Sequence, residues 1–140
     1  MDFKIEKVES HNDPRGKLII LLKKSDLSKK DRVFGEVFYI TFSKKGITRA
    51  NHYHKKWREW FVVVSGKLQV FLKDVKTGKT ANTIIKNGKT TQRLEIGPYV
   101  AHAFKALSDN TALLNYSDGM WNPEDVITYE LIPAKINAKK

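Results

Sequence analysis

The sequence predicts an all-β fold built of antiparallel strands. Segments rich in β-branched and aromatic residues recur along its 140 residues, and turn-forming residues separate them at roughly 8–12-residue intervals. A helical pattern is nearly absent, since only residues 25–31 could form a helical turn. This spacing is typical of a β-sandwich or β-barrel. We expect a single domain over residues 1–133, followed by a polar tail over residues 134–140.

The first third of the chain contains three predicted strands. Apolar and polar residues alternate over residues 3–8, which predicts a half-buried strand. Pro14 and Gly16 then mark a turn. Residues 17–22, KLIILL, form a short apolar run that predicts a buried strand, and residues 33–42, VFGEVFYITF, predict the next one.

The strands follow one another more closely from residue 59 onward. Leu68, Val70 and Leu72 alternate with more polar residues, so one face of this strand is expected to be buried. The dipeptide Asn87-Gly88 is a strong hairpin signal, which predicts that the strands on either side of it pair with each other. Strands are expected over residues 59–65, 67–75, 80–86, 90–96, 101–106, 111–116 and 126–132.

The chain is strongly basic. Lysine and arginine number 26 against 15 aspartate and glutamate, which gives a net charge of +11. This charge favours polyanionic ligands, either nucleic acids or phosphorylated small molecules. The lysines are scattered as pairs, and no basic helix, zinc finger or RNA-binding aromatic motif accompanies them. We therefore do not expect a nucleic-acid partner.

Two absences narrow the class of protein further. The chain has no cysteine, which excludes disulfides, thiolate metal ligands and cysteine nucleophiles. No apolar run approaches the ~18–20 residues that a membrane span requires, and the first thirty residues lack the apolar centre of a signal peptide. We expect a soluble, cytoplasmic protein without a membrane partner.

Three of the four histidines belong to one predicted site. His52 and His54 are two residues apart, so an extended backbone places both imidazoles on one face. Glu59 begins the next strand, and His102 arrives from a later one. Three imidazoles and a carboxylate suit either proton transfer or a metal ion.

The spacing of these residues resembles the first motif of the cupin superfamily. In GITRANHYHKKWREWFVVVSG, the residues Gly46, His52, His54, Glu59 and Gly66 stand at the spacing Gly-x5-His-x-His-x4-Glu-x6-Gly. The second cupin motif is often IPPGVAH; here residues 96–102 read IGPYVAH and keep the histidine. The resemblance implies a double-stranded β-helix, or jelly roll, with His52, His54, Glu59 and His102 as the metal ligands if a metal is bound.

Within the cupins, the chain resembles the nucleotide-sugar branch. The segment DPRGKL is similar to a turn of the dTDP-4-keto-6-deoxyglucose 3,4-ketoisomerases and of dTDP-4-dehydrorhamnose 3,5-epimerase, and VFYITF followed by TRANHYHKK is similar to the ketoisomerase active-site segment. NYSDGMWNPED resembles the aromatic-Pro-Glu-Asp turn of the same group, and HYHKK also resembles the cupin domain fused to capsular-sugar reductases. Residues 120–121 read Met-Trp where the 3,5-epimerases have a tyrosine that serves as the catalytic acid, which argues against a 3,5-epimerase.

The resemblance implies an enzyme that isomerises or epimerises a nucleotide-linked 4-keto-6-deoxy sugar in surface polysaccharide biosynthesis, and a homodimer. Removal of the proton beside the ketone needs a base with a pKa near 7 and a group that stabilises the enolate oxygen. The expected catalytic residues are His52 as base, His54 as proton shuttle and the Tyr39 hydroxyl; the expected substrate-binding residues are Arg15, Arg49, Lys55 and Tyr116.

Alternatives to this function remain open at the level of sequence. A nitrogen bound to a metal cannot also accept a proton, so metal binding competes with catalysis by the same histidines. No organic cofactor is expected, but zinc, manganese, iron or nickel would suit these donors. The rival functions are a metal-dependent cupin oxygenase or free-sugar isomerase, and a non-catalytic sugar-binding cupin.

Overall fold

A computed structural model describes residues 1–135 of the chain. The fold consists of two five-stranded antiparallel sheets that face each other. The first sheet has the strand order β1-β9-β6-β11-β4 and the second β12-β5-β10-β7-β8. The strands are β1 (Phe3–Lys7), β2 (Ser10–Asp13), β3 (Gly16–Ile19), β4 (Glu36–Thr41), β5 (Thr48–Tyr53), β6 (Glu59–Ser65), β7 (Lys67–Asp74), β8 (Thr80–Lys86), β9 (Gln92–Ile96), β10 (Val100–Ala106), β11 (Ala112–Ser117) and β12 (Ile127–Thr128). The predicted all-β class is confirmed.

The remaining elements are small. Strands β2 and β3 form a separate hairpin, and three short 3-10 helices span Lys24–Asp26, Lys29–Asp31 and Pro123–Asp125. None of the helices within residues 1–135 is long and apolar enough to cross a membrane.

The core lies between the inner faces of the two sheets. Strand β7 shows how the sequence specifies this arrangement, because Leu68, Val70 and Leu72 are buried while the residues between them are more exposed. They pack with side chains of the first sheet such as Phe61 and Leu94. Apolar side chains therefore fill one part of the sandwich, and the histidines of β5 and β10 face the same interior.

Several predicted elements need correction. Residues 17–22 form no buried strand; β3 is an exposed hairpin strand, and Leu18 is 61% exposed. Asn87-Gly88 closes no hairpin, because β8 pairs with β7 whereas β9 pairs with β1 and β6 in the other sheet. A type I′ turn needs positive φ at both residues, and neither has it. Asn87 instead donates to the carbonyls of Val64, near the end of β6, and of Gly66, between β6 and β7.

The C-terminal segment differs from its prediction as well. The strand expected over residues 126–132 is only Ile127–Thr128. Within the predicted tail, residues 134–135 are described, and the backbone N–H and C=O of Lys135 bond to Thr48. The rest of the predicted tail, residues 136–140, lies outside the described residues.

Gly66, the last residue of the first histidine motif, has a structural role that a substitution can test. Its φ is +78°, and a Cβ atom there would lie 2.8 Å from the Cα of Thr111. Gly78 has a similar φ of +81° but nothing within 4 Å of the Cβ position. We expect Gly78→Ala to lower the free energy of unfolding by about 1 kcal/mol, through backbone strain alone. Gly66→Ala should cost about 1–3 kcal/mol more, because the clash adds to the strain.

Urea denaturation of the two variants and the native chain measures both effects. Equal losses for Gly66→Ala and Gly78→Ala would show that the turn relaxes and that the clash is not felt.

Candidate active site

The three histidines converge in a cavity of about 240 Å³ between the two sheets. His52 comes from β5, His54 follows the end of that strand, and His102 comes from β10, where it lies opposite His52. One ring nitrogen of each histidine lies within 4.8 Å of the others. The cavity is also lined by Phe38, Ile40, Arg49, Ala50, Trp57, Glu59, Phe61, Phe104, Asn115, Ser117, Trp121 and Val126.

Backbone carbonyls fix the rings of His54 and His102. Nδ1 of His54 lies 2.7 Å from the carbonyl oxygen of Asp125, and Nδ1 of His102 lies 3.0 Å from that of Val100. A carbonyl only accepts a hydrogen bond, so each Nδ1 carries a proton. The Nε2 atoms of both rings therefore point toward the centre of the site.

Glu59 faces these two Nε2 atoms from β6 in the opposite sheet. Its Oε1 lies 3.2 Å from Nε2 of His54 and 3.3 Å from Nε2 of His102, but it accepts no well-aligned hydrogen bond. Burial alone would raise the pKa of Glu59, but the facing imidazoles lower it to about 2. Burial would likewise lower the pKa of His54, yet Glu59 and the Asp125 carbonyl raise it.

His52 differs from the other two histidines. It is only half-buried, and its ring contacts those of His54 and His102 with centroid separations of 4.8 and 4.9 Å. Burial lowers the pKa of His52 to about 3, with a further contribution from the neighbouring imidazoles. The ring is therefore neutral at physiological pH and keeps a free lone pair. This pKa lies well below the value near 7 that suits a general base, so His52 is a weaker base here than the proton transfer calls for.

The relatives of this chain act in sugar metabolism. Residues 11–129 match the family model described as the polysaccharide biosynthesis C-terminal domain. The chain belongs to this family. A curated relative, the UDP-2-acetamido-2,6-beta-L-arabino-hexul-4-ose reductase of Pseudomonas aeruginosa, is 27% identical over 123 residues. The match covers 87% of this domain but 31% of the reductase, so the chain spans about a third of that relative's length.

Solved structures give the same picture of the fold. A double mutant of the 3,4-ketoisomerase QdtA from Thermoanaerobacterium thermosaccharolyticum, solved in complex with TDP, superposes with a TM-score of 0.75 at 26% identity, over 89% of this domain and 86% of that chain. The rmlC epimerase of Mycobacterium tuberculosis superposes with a TM-score of 0.76 at 18% identity, over 88% and 66% of the two chains. The predicted cupin jelly roll is confirmed.

The donor atoms of this site, on His54, His102 and Glu59, fit a divalent cation. Two ligand atoms each bound about 2.1 Å from one tetrahedral ion lie about 3.4 Å apart, close to the 3.2 and 3.3 Å measured from Glu59 to the two Nε2 atoms. In neutral imidazoles with Nδ1 protonated, both Nε2 lone pairs face the carboxylate oxygen. That arrangement is repulsive unless a proton or a metal ion lies between the three atoms. Hydrogen bonds from Nδ1 to carbonyls are also typical of metal-ligating histidines.

Among the residues predicted to bind substrate, Arg49 lines the cavity. Its Nε donates to the carbonyl oxygen of Thr41 at 3.0 Å, and its guanidinium lies 5.7 Å from the centre of the Phe42 ring. Because Thr41 belongs to the first sheet, Arg49 reaches from one sheet to the other.

The other predicted contacts lie outside this cavity, and their roles stay predictions. Tyr39 is 67% exposed on the outer face of the first sheet, because its neighbours Phe38 and Ile40 take the inward positions of β4. Tyr116 also points outward, and its hydroxyl donates to the Val33 carbonyl.

The last two predicted residues lie outside the cavity of their own chain. Arg15, in the β2–β3 turn, pairs with Asp13, and its side chain is 91% exposed. Lys55 is exposed, and its backbone N–H bonds to Asp125. Neither side chain lines the cavity.

Asp125 is a residue of the site that sequence reasoning missed. Its carboxylate accepts from the backbone N–H groups of Lys55 and Lys56 at 2.8 and 3.0 Å, and its own carbonyl accepts from His54. Trp57 completes this support by packing on the His54 ring at a centroid distance of 4.2 Å. The sequence signals Asp125 only as a turn residue after Asn122-Pro123, because its partners lie about seventy positions earlier.

Proposed function

We propose that this domain isomerises or epimerises a nucleotide-linked 4-keto-6-deoxy sugar by moving a proton next to the ketone, in surface polysaccharide biosynthesis. One observation carries the proposal: a neutral histidine with a free lone pair and an arginine line the same cavity, beside two further histidines and a glutamate. The QdtA ketoisomerase bound to TDP and the sugar reductase of Pseudomonas aeruginosa support the substrate class.

In this proposal His52 takes the proton from the carbon beside the ketone. The resulting charge develops on the ketone oxygen, and preorganised donors or cations stabilise such charge strongly in a partly dry cavity. Arg49 binds the diphosphate or the enolate oxygen, and His54 exchanges the proton with His52. Return of the proton to the other face of the same carbon epimerises the sugar. Its transfer to the former carbonyl carbon isomerises the sugar through an enediol, provided that the hydroxyl proton of the neighbouring carbon moves to the former ketone oxygen.

We further propose a divalent metal ion at this centre, chosen among zinc, manganese, iron and nickel. His54, His102 and Glu59 would hold it, with His52 as the fourth donor. When bound, such an ion supplies a Lewis acid that polarises a carbonyl. A nitrogen that holds the ion cannot accept a proton, so His54 can act as the shuttle only in the metal-free domain, because its Nδ1 is bonded to the Asp125 carbonyl and its Nε2 would be a ligand. His52 can accept a proton only while its lone pair is not used as a ligand, and the contacts of Glu59 with His54 and His102 alone favour keeping His52 free.

The proposal keeps the predicted cytoplasmic location and the predicted homodimer. Large apolar side chains on and beside β4, including Phe34 at 74% exposure and Tyr39, support a second copy packing on this outer face. We expect light scattering on the purified chain to give twice the monomer mass of 16.1 kDa, and Tyr39→Glu to give a monomer. A monomer in the native chain at high micromolar concentration would contradict the dimer.

Proton NMR in deuterated water tests the function itself. The domain is incubated with a dTDP- or UDP-linked 4-keto-6-deoxy sugar, and deuterium is followed at the carbons beside the ketone. We expect deuterium at C3 together with a new product, whose stereochemistry or carbonyl position distinguishes an epimerase from a ketoisomerase. Binding without exchange across both nucleotide series would indicate a sugar-binding module, and neither binding nor exchange would favour the metal-dependent alternatives.

A further inference from the structure

Strand β5 is interrupted immediately before His52. Ala50 and Asn51 have φ of +72° and +60°, a region that residues other than glycine rarely adopt. The pairing with β10 shifts at the same place: His52 lies opposite His102, but Ala50 lies opposite the next residue, Ala103. Asn51 is therefore the extra residue of a β-bulge, a feature that re-aims side chains near functional sites.

The bulge decides which side chains enter the cavity. His52 and Arg49 are three positions apart, and in a regular strand such residues point to opposite faces of the sheet. In this structure both line the cavity, and Arg49 lies opposite the inward-facing Phe104. Without the extra residue, Arg49 and His52 would point to opposite faces of the sheet, and only one of them could line the cavity.

Asn51 itself does not line the cavity, and its side chain is bonded to the C-terminal segment beside β5. Its side-chain Oδ1 accepts from the backbone N–H groups of Leu131 and Ile132 at 2.9 and 3.3 Å, and its Nδ2 donates to the Ile132 carbonyl at 3.1 Å. Its backbone carbonyl also accepts from Tyr129 at 2.8 Å. Earlier in the C-terminal segment, β12 pairs with Tyr53 and His52; later in it, Lys135 pairs with Thr48. The amide of Asn51 thus bridges the gap that the bulge leaves between two stretches of backbone pairing.

We propose that Asn51 is a positioning residue that holds Arg49 and His52 on the same face of β5. The inference deepens the proposed function, since it assigns the joint placement of the anion-binding arginine and the base to one residue outside the cavity. Asparagine suits this position because it tolerates the left-handed backbone region better than most residues, and its amide both donates and accepts hydrogen bonds.

Two readouts test the proposal. The first is the Nε–H resonance of Arg49 in nitrogen-15 NMR, assigned by its loss in Arg49→Ala and protected by the bond to Thr41. The second is the dissociation constant for dTDP. We expect Arg49→Ala to weaken dTDP binding roughly tenfold through the lost charge-assisted hydrogen bond, whereas Arg32→Ala, which removes the same charge outside the cavity, should leave it unchanged.

Asn51→Val should remove the protected Arg49 resonance and weaken dTDP binding to the same extent as Arg49→Ala. A β-branched residue resists positive φ, so the strand becomes regular and the arginine turns outward. The double variant Asn51→Val/Arg49→Ala should bind no more weakly than either single variant, because both remove the same interaction. Asn51→Asp, which tolerates the same backbone conformation, should restore the resonance and most of the affinity.

Three results would overturn the proposal: an unchanged Arg49 resonance in Asn51→Val, additive losses of affinity in the double variant, or full retention of both readouts in Asn51→Gly. The glycine variant permits the backbone conformation but lacks the amide, and it decides the matter if Asn51→Val does not fold. If the native chain binds neither dTDP nor UDP, but Asn51→Val still removes the Arg49 resonance, the nucleotide-sugar function fails while the positioning role stands.

Discussion

Replacing His52 by asparagine is expected to lower the rate of solvent proton exchange into the sugar by about 10²–10⁴-fold, the usual contribution of general acid–base catalysis. Asparagine keeps the approximate size and polarity of the side chain but has no basic nitrogen. Because His52 is half-buried and makes contacts rather than side-chain hydrogen bonds to the backbone, the fold should be retained. Deuterium incorporation measured by NMR gives the exchange rate, and circular dichroism shows whether the fold is retained.

His11→Asn is the matched control for this variant. His11 lies in the exposed β2–β3 hairpin, where it pairs with Glu9, and it does not line the cavity. Its substitution should leave the exchange rate unchanged. Exchange in His52→Asn at more than about a tenth of the native rate would exclude His52 as the base, since a loss that small is below the range expected for such a role.

The core of the site could be predicted from the sequence because two simple periodicities specify it. His52 and His54 are two residues apart, so any extended backbone places them together, and the apolar run after Glu59 fixes that residue at the start of a buried strand. The second cupin motif alone predicts that His102 joins them. None of these predictions required knowledge of which strands are neighbours.

Sequence patterns are least informative where the pairing of strands decides which way a side chain points or which strands are neighbours. In β4, apolar residues occupy both faces, so the pattern could not show that Phe38 faces the cavity and Tyr39 the exterior. Asn87-Gly88 has the composition of a hairpin turn, but its strands belong to different sheets. The bulge at Asn51 is invisible to a period-2 analysis, which would place Arg49 outside the cavity. A local pattern cannot encode a long-range choice of partner.

Metal binding should separate the ligand role of the histidines from the catalytic role. A cation that binds only the folded state stabilises it by about 2.7 kcal/mol at a free concentration of one hundred times Kd. For a chain of this size the corresponding rise in Tm is roughly 5–15 °C. We expect this rise for at least one of zinc, manganese, iron and nickel, together with one ion per chain by elemental analysis.

Glu59→Gln and His102→Ala should abolish that rise, each measured against its own metal-free Tm. Outer-shell mutations typically cost 10–100-fold in metal affinity, so loss of a direct donor should cost about 100-fold or more. His11→Ala removes a histidine far from the centre and should respond like the native chain. The absence of any rise with all four metals would leave a proton, rather than a metal ion, between Glu59 and the two imidazoles.

His52→Asn decides between the two roles in the same assay. If His52 is the base and not an essential ligand, the variant loses proton exchange but keeps the metal-induced rise in Tm. If it loses both, the lone pair of His52 is used by the metal, and the proton must be taken by another group. The structure favours the first result, because Glu59 Oε1 contacts His54 and His102, the two rings whose Nδ1 atoms are fixed by backbone carbonyls, while the His52 ring has no such restraint.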